Sequence, residues 1–223
     1  MTADPLADLA RAEGLPSAHA AALDAIDSVL RDRGLRRIAE EDVAAAAWTA
    51  ARAAVQLEPA AELDAGASDD GTSGDGPSDA DRAAATVRML AEVPALAEQV
   101  RSTPAQALAR LHTVWGRGIV PDEDLGRVRS DPQVSARLGE LTRLLTTTTA
   151  APALALAGVV HAELWSMAPF TAGSGVVALG AQQAVLVATG VDPRGVIPLA
   201  AGHLEVGGHA VSLRHYGSGT AKG

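Results

Sequence analysis

A mainly α-helical bundle is what the sequence predicts, on three observations. Apolar residues recur at the three- and four-residue spacing of one helix face along most of the chain. The segment boundaries carry helix punctuation, with Ser, Thr or Asp ahead of the apolar stripes and Gly or Pro behind them. The 41 residues from Ala150 to Gly190 hold one formal charge, Glu163, as a buried helix pair requires. A chain of 223 residues suffices for one helical core with an appendage, not for several large domains.

The elements follow in order. Ser17 is placed to cap a first helix whose stripe is Leu23, Ile26 and Leu30, with Gly34 ending it as a left-handed cap. An Ala-rich second helix fits Glu41 to Gln56. The run from Asp64 to Asp79 has five Gly or Pro and four Ser or Thr but no large apolar side chain, so it reads as a disordered linker. Asp79 or Asp81 then opens a helix with Val87, Leu90 and Ala91, which Pro94 should break or kink. Thr103-Pro104-Ala105-Gln106 is a capping-box start for the stripe Leu108, Leu111, Trp115. Asp131-Pro132 opens a helix with Val134, Leu138, Leu141 and Leu145 on one face, which the run Thr146 to Thr149 stops. The helix pair between Ala150 and Gly190 is interrupted where Pro169 and Gly173 fall. The expected organisation is a helical segment over 1–60, an acidic linker over 61–80 and a helical core over 81–223.

Composition excludes several function classes. There is no cysteine, which removes disulfide frameworks, thiolate metal sites and cysteine nucleophiles together. Trp48, Trp115, Trp165, Phe170 and Tyr216 are the five aromatics, too few for a base-stacking surface. The net charge of −9 is concentrated: eight acidic and no basic residues lie between Glu58 and Asp81, leaving 19 acidic against 18 basic elsewhere. A near-neutral fold with an acidic insert has neither a nucleic-acid footprint nor a polybasic membrane patch. The start lacks the apolar region of a signal peptide, and the apolar runs Leu154 to Val160 and Ala184 to Ala188 are far short of a membrane span. A cytoplasmic location is expected. Seventeen of the 18 basic residues are Arg and Ala dominates, a bias expected of a GC-rich bacterial genome.

The segment from His161 to Leu179 carries the informative pattern. Pro169 ends one helix, Gly173 and Gly175 permit a tight turn, and Ser174 is placed to cap the next helix. Backbone N–H groups of Gly173, Ser174 and Gly175 would then point into one concavity, the outline of a phosphate site. The plainer reading is a helix-turn-helix whose glycines serve the turn.

In these residues the chain resembles the Fic/Doc (Fido) superfamily of nucleotidyl-transferring helical domains, whose signature reads His-Pro-Phe-x-Asp/Glu-Gly-Asn-Gly-Arg-x-x-Arg. Here the corresponding stretch is Ala168-Pro169-Phe170-Thr171-Ala172-Gly173-Ser174-Gly175-Val176-Val177-Ala178-Leu179. His161 falls where the preceding helix of the family often has a histidine. Leu111-His112 followed by Gly126-Arg127-Val128-Arg129 is similar to the family's Leu-His and Gly-x-x-Arg segments. The resemblance covers roughly Ala83 to Gly208 and implies a Fic-like helical core. In the family, the motif histidine takes the proton of the target hydroxyl, the acidic residue holds the magnesium on the nucleotide phosphates, and the two arginines steady those phosphates. The matching positions here are Ala168, Ala172, Val176 and Leu179, and Asn is replaced by Ser174. Pro169, Phe170, Gly173 and Gly175 keep the shape of the motif without its ionisable groups.

Losing a general base alone costs a factor of about 10²–10⁴, and phosphoryl-type transfer also needs metal and cationic stabilisation. The resemblance therefore implies a catalytically inactive protein, with no catalytic residue and no cofactor, serving as a protein-interaction or regulatory module for a partner the sequence does not name. The stretch from Arg129 to Val134 is too short for the family's target-aligning flap. The alternative is a nucleotidyl or phosphoryl transferase or nucleotide binder with a base from outside the motif. It would use ATP and Mg, with Arg129 or Arg194 supplying the missing cation.

Two further motifs invite other readings. Gly173-Ser-Gly175-Val-Val-Ala178 satisfies the dinucleotide fingerprint, with Asp192 about 20 residues on, but a nicotinamide oxidoreductase needs a strand directly before Gly173 and none is predicted. His203, Glu205, His209 and His215 crowd the C-terminal region without a recognised ligand spacing, so no metal site is expected and they read as solvated. His112 and His161 read as satisfied core or rim residues.

Overall fold

The computed structural model describes Asp4 and residues 6–31, 40–58 and 76–218. Among them are nine α-helices: α1 (Leu15–Arg31), α2 (Glu40–Leu57), α3 (Asp79–Ser102), α4 (Pro104–Gly116), α5 (Pro132–Thr146), α6 (Ala153–Met167), α7 (Ser174–Ala188), α8 (Leu199–Val206) and α9 (His209–Gly217). The one β-type pairing among the described residues is an isolated bridge between Arg117 and Val120. The protein is a mainly α bundle, as the periodicity predicts.

Helix α7 forms the axis. Every residue from Ser174 to Leu186 is buried, because this helix is uncharged on all sides and has no face to offer water. Helices α3, α4 and α6 pack around it, and α2 lies against α3, α7 and α8. Gly180 lets α3 pack close, since an added Cβ there would stand 2.8 Å from Met89 Cε. Met89, Val93, Leu108, Leu111, Trp115, Leu164 and Val177 make the centre of the core and are nearly inaccessible to solvent.

The helix starts show how far local signals reach. Ser78 caps α3 in a full capping box with Asp81, and Asp131 accepts from the N–H groups of Gln133 and Val134 at the start of α5. Thr103 precedes α4 with Pro104 at the first helical position, yet its side chain makes no capping bond. Helix α1 begins at Leu15, ahead of the expected cap; Ser17 lies inside it and its hydroxyl donates to the Gly14 carbonyl. Gly34, its expected end, and most of the acidic linker expected over 61–80 lie outside the described residues.

Pro94 does not end its helix: α3 runs unbroken from Asp79 to Ser102. Val93, Leu96, Ala97 and Val100 are buried on the core side while Pro94 is exposed, so the lost backbone bond falls toward solvent and tertiary packing overrides it.

Candidate functional site

The turn between α6 and α7 is the candidate site, and its geometry grows from Ala168. This residue sits in the left-handed region with φ 44°, the one non-glycine residue with positive φ among those described. That conformation is strained for any side chain with a Cβ. Arg129 holds it in place: its Nε donates to the Ala168 carbonyl at 2.7 Å, its Nη2 to the Met167 carbonyl at 3.2 Å, and its own backbone N–H to the Pro169 carbonyl at 2.8 Å. The carbonyls at the end of α6 are thereby satisfied by a cation suited to a helix C-terminus. The guanidinium is committed to the backbone of the turn.

Phe170 is buried under the turn, stacked flat on His112 of α4 with ring centroids 4.0 Å apart and planes 4° from parallel. His112 Nδ1 accepts from the Gly126 N–H at 2.9 Å. Its proton therefore lies on Nε2, which donates to the Ala172 carbonyl at 3.1 Å. Burial lowers the pKa of His112 and keeps it neutral. Both nitrogens are engaged, so this histidine is a structural clamp between the segment before α5 and the turn before α7.

Ser174 does not cap α7. The cap position is Gly173, with φ 73°, and Ser174 Oγ instead accepts from the Phe170 N–H at 3.0 Å, closing the turn on itself. Gly173 is required sterically as well as conformationally, because an added Cβ would lie 2.1 Å from Trp115 Cζ3.

The N–H groups opening α7 have a ligand already. Glu58, just past α2 and nearly inaccessible, places Oε1 2.9 Å from the Gly175 N–H and Oε2 3.0 Å from the Val176 N–H. A carboxylate on two N–H groups at a helix N-terminus is the arrangement a bound phosphate oxygen pair would adopt. Gly175 is what admits it, since a Cβ there would stand 3.0 Å from Glu58 Cδ and 2.9 Å from Trp165. The buried guanidinium of Arg82 on α3 reaches from the other side, donating to the Glu58 backbone carbonyl and, at 3.0 Å, to Asp79.

Of the residues singled out from sequence, the structure gathers Pro169, Phe170, Gly173, Ser174 and Gly175 in one turn, with His112 and Arg129 beneath it. Asp192 is elsewhere in function: it is buried and its carboxylate accepts from the N–H groups of Val196 and Ile197, shaping the loop before α8. Among the described residues no strand precedes Gly173. Glu58 and Arg82 were not singled out. Their signal was present only in part, because Glu58 reads as the first of eight linker acids and nothing local couples it to a turn 117 residues away.

The C-terminal histidines differ from expectation. His203 of α8 and His209 of α9 are half-buried rather than solvated, and they gather around His161 of α6, with the three ring centroids 4.9 to 5.1 Å apart. His161 Nε2 and His209 Nε2 are 2.8 Å apart and share one proton-mediated contact, while His203 Nε2 donates to Gln182 Oε1 at 3.1 Å. Burial and then the neighbouring imidazoles push His161 down to about 3 and His209 to about 4. Among the described residues no group of three or more His, Cys, Asp or Glu side chains is arranged to hold a metal ion, and no helix is long and apolar enough to cross a membrane.

Compared with known proteins, the chain matches no family model, no curated protein and no solved structure.

Proposed function

We propose that this chain is a catalytically inactive Fic-like helical module that acts through protein interaction or regulation. The observation that carries the reading is the Glu58 carboxylate on the Gly175 and Val176 N–H groups, where the phosphate of a nucleotide would have to sit. A polyphosphate entering there would meet a fixed negative charge in a buried setting, which is unfavourable by several kcal/mol unless Glu58 leaves or is neutralised (roughly, for an unpaired buried charge). Arg129, one of the two cations that could compensate for the missing motif charges, is spent on the carbonyls of Met167 and Ala168. The positions matching the family's base, metal ligand and phosphate-binding arginines are Ala168, Ala172, Val176 and Leu179. Leu23, Ile26 and Leu30 of α1 are only half-buried, so this helix keeps part of its apolar face available to a protein partner. The absence of cysteine and the Arg-rich composition fit a bacterial cytoplasmic setting.

Thermal-shift measurements with ATP, other nucleotides and NAD, with and without magnesium, paired with intact-mass analysis after incubation, test this reading. The expected result is an unchanged melting temperature and an unchanged mass. Magnesium-dependent stabilisation by ATP that Gly175→Val abolishes, or transfer of a nucleotidyl group to any acceptor, would establish the transferase or nucleotide-binding alternative instead.

A further inference from the structure

A cavity of ≈ 790 Å³ lies between α6, α8 and α9, with Leu9 and Leu15 at its edge and no residue of the α6–α7 turn in its lining; its walls are largely aliphatic, and His161, His203 and His209 line it. Its size falls within the range of sites that enclose small molecules. Among the described residues, none of the side chains lining it is Asp, Glu, Lys or Arg.

The cover of this cavity is α9, in which no residue is buried. It is joined to α8 through Gly207 and Gly208, both at positive φ, and is tied to α6 by polar contacts at its two ends. At the first end His209 meets His161; at the other Tyr216 donates to Glu163 Oε1 at 2.7 Å, with Arg137 of α5 on the second carboxylate oxygen. A helix held by its ends rather than by apolar packing leaves the space beneath it open.

Two glycines keep that space open from the other side. Gly158 on α6 and Gly202 on α8 both line the cavity, and a Cβ at either would meet nothing within 4 Å. Glycine within a helix costs roughly 1 kcal/mol relative to alanine, and neither position needs it for a turn or a close contact.

We propose that this cavity binds an uncharged, largely apolar small molecule bearing one hydrogen-bonding group, received by Gln182 and His203 at the buried end and covered by α9. Charge complementarity selects the class. A cationic or anionic ligand would lose its hydration against walls whose described residues offer no counter-charge, whereas one hydroxyl or carbonyl group finds partners among the imidazoles, Gln182 and Ser212. Low imidazole pKa values keep the lining neutral around pH 7. This site is separate from the α6–α7 turn, and its fate does not depend on the Fic-like reading.

The test uses the full chain and two fluorescent probes: N-phenyl-1-naphthylamine, uncharged and apolar, and 1-anilinonaphthalene-8-sulfonate, of similar ring size but anionic. Trp165, which touches both His161 and His209, serves as the energy-transfer donor. Saturable binding of one uncharged probe per chain is expected, with the anionic probe at least tenfold weaker. Gly158→Phe and Gly202→Phe together should lower the affinity for the uncharged probe at least tenfold without lowering the melting temperature, while Gly139→Phe on α5, also in open space, should leave it unchanged. Absence of saturable binding, equal binding of the anion, or full retention of binding in a folded Gly158→Phe/Gly202→Phe variant would each overturn the proposal. Should the filled variant fail to fold, the comparison of the two probes on the natural chain decides alone.

Discussion

The imidazole of His112 lies flat against the ring of Phe170, 4.0 Å between centroids, while its two nitrogens bridge the Gly126 N–H and the Ala172 carbonyl. Packing and hydrogen bonding thus meet in one side chain, and they separate by substitution. His112→Phe keeps a ring in place but orphans a partly buried donor and a partly buried acceptor, with a destabilisation of about 1–3 kcal/mol from two unsatisfied groups. Urea unfolding measures it. A loss below about 0.5 kcal/mol would show that the clamp contributes only its ring.

Glu58→Ala removes a carboxylate from two N–H groups at the start of α7. The expected cost is about 2–3 kcal/mol, from charge-assisted hydrogen bonds and the helix dipole. Millimolar sulfate should restore part of the lost stability in this variant and none in the natural protein. Chemical denaturation with sulfate, against chloride at equal ionic strength, reads the difference; identical sulfate responses would show that the nest is not an anion site once vacated.

Gly173→Ala and Gly139→Ala are the same chemical change in opposite settings. At Gly173 the φ of 73° and a Cβ 2.1 Å from Trp115 Cζ3 predict a loss of about 3 kcal/mol or more, strain and overpacking together. At Gly139, mid-helix in open space, alanine should gain about 0.5–1 kcal/mol. Midpoints of paired unfolding curves give both signs in one experiment.

Stability should fall on acidification well before carboxylates titrate. His161 is held at about 3 and His209 at about 4, and His112 and His203 are also lowered, in each case chiefly by burial. Below about pH 6.5 the unfolded chain takes up protons that the folded chain refuses, so stability decreases as pH drops from about 6.5 toward 4 and is complete above that window. Melting temperatures across pH 4 to 8 test the sign, and NMR of the imidazoles should show His161 and His209 still neutral at pH 5. A flat melting profile between pH 7 and 5 would contradict it.

Most of the helical architecture was legible because its causes are local. Asp131-Pro132, Ser78 with Asp81, the break at Pro169 and Gly173, and the uncharged run from Ala150 to Gly190 each act within one or two turns of chain. Pro94 and Ser174 show the limit. The proline was overridden by burial of Val93 and Leu96 on the far face, and the serine found a better partner in the Phe170 N–H than in the helix it was placed to cap.

By itself the sequence determined a helical bundle with a glycine turn at 173–175 and no charged side chain from Ala168 to Leu179, since periodicity, punctuation and residue identity are written along the chain. Only the tertiary structure decided what fills that turn and what the histidines do. Glu58 reaches Gly175 across 117 residues, and His161, His203 and His209 converge from three helices. Neither meeting has a local signature, because each depends on how helices separated in sequence pack against one another, and pairing a buried charge or keeping an imidazole neutral is settled only when that packing removes water.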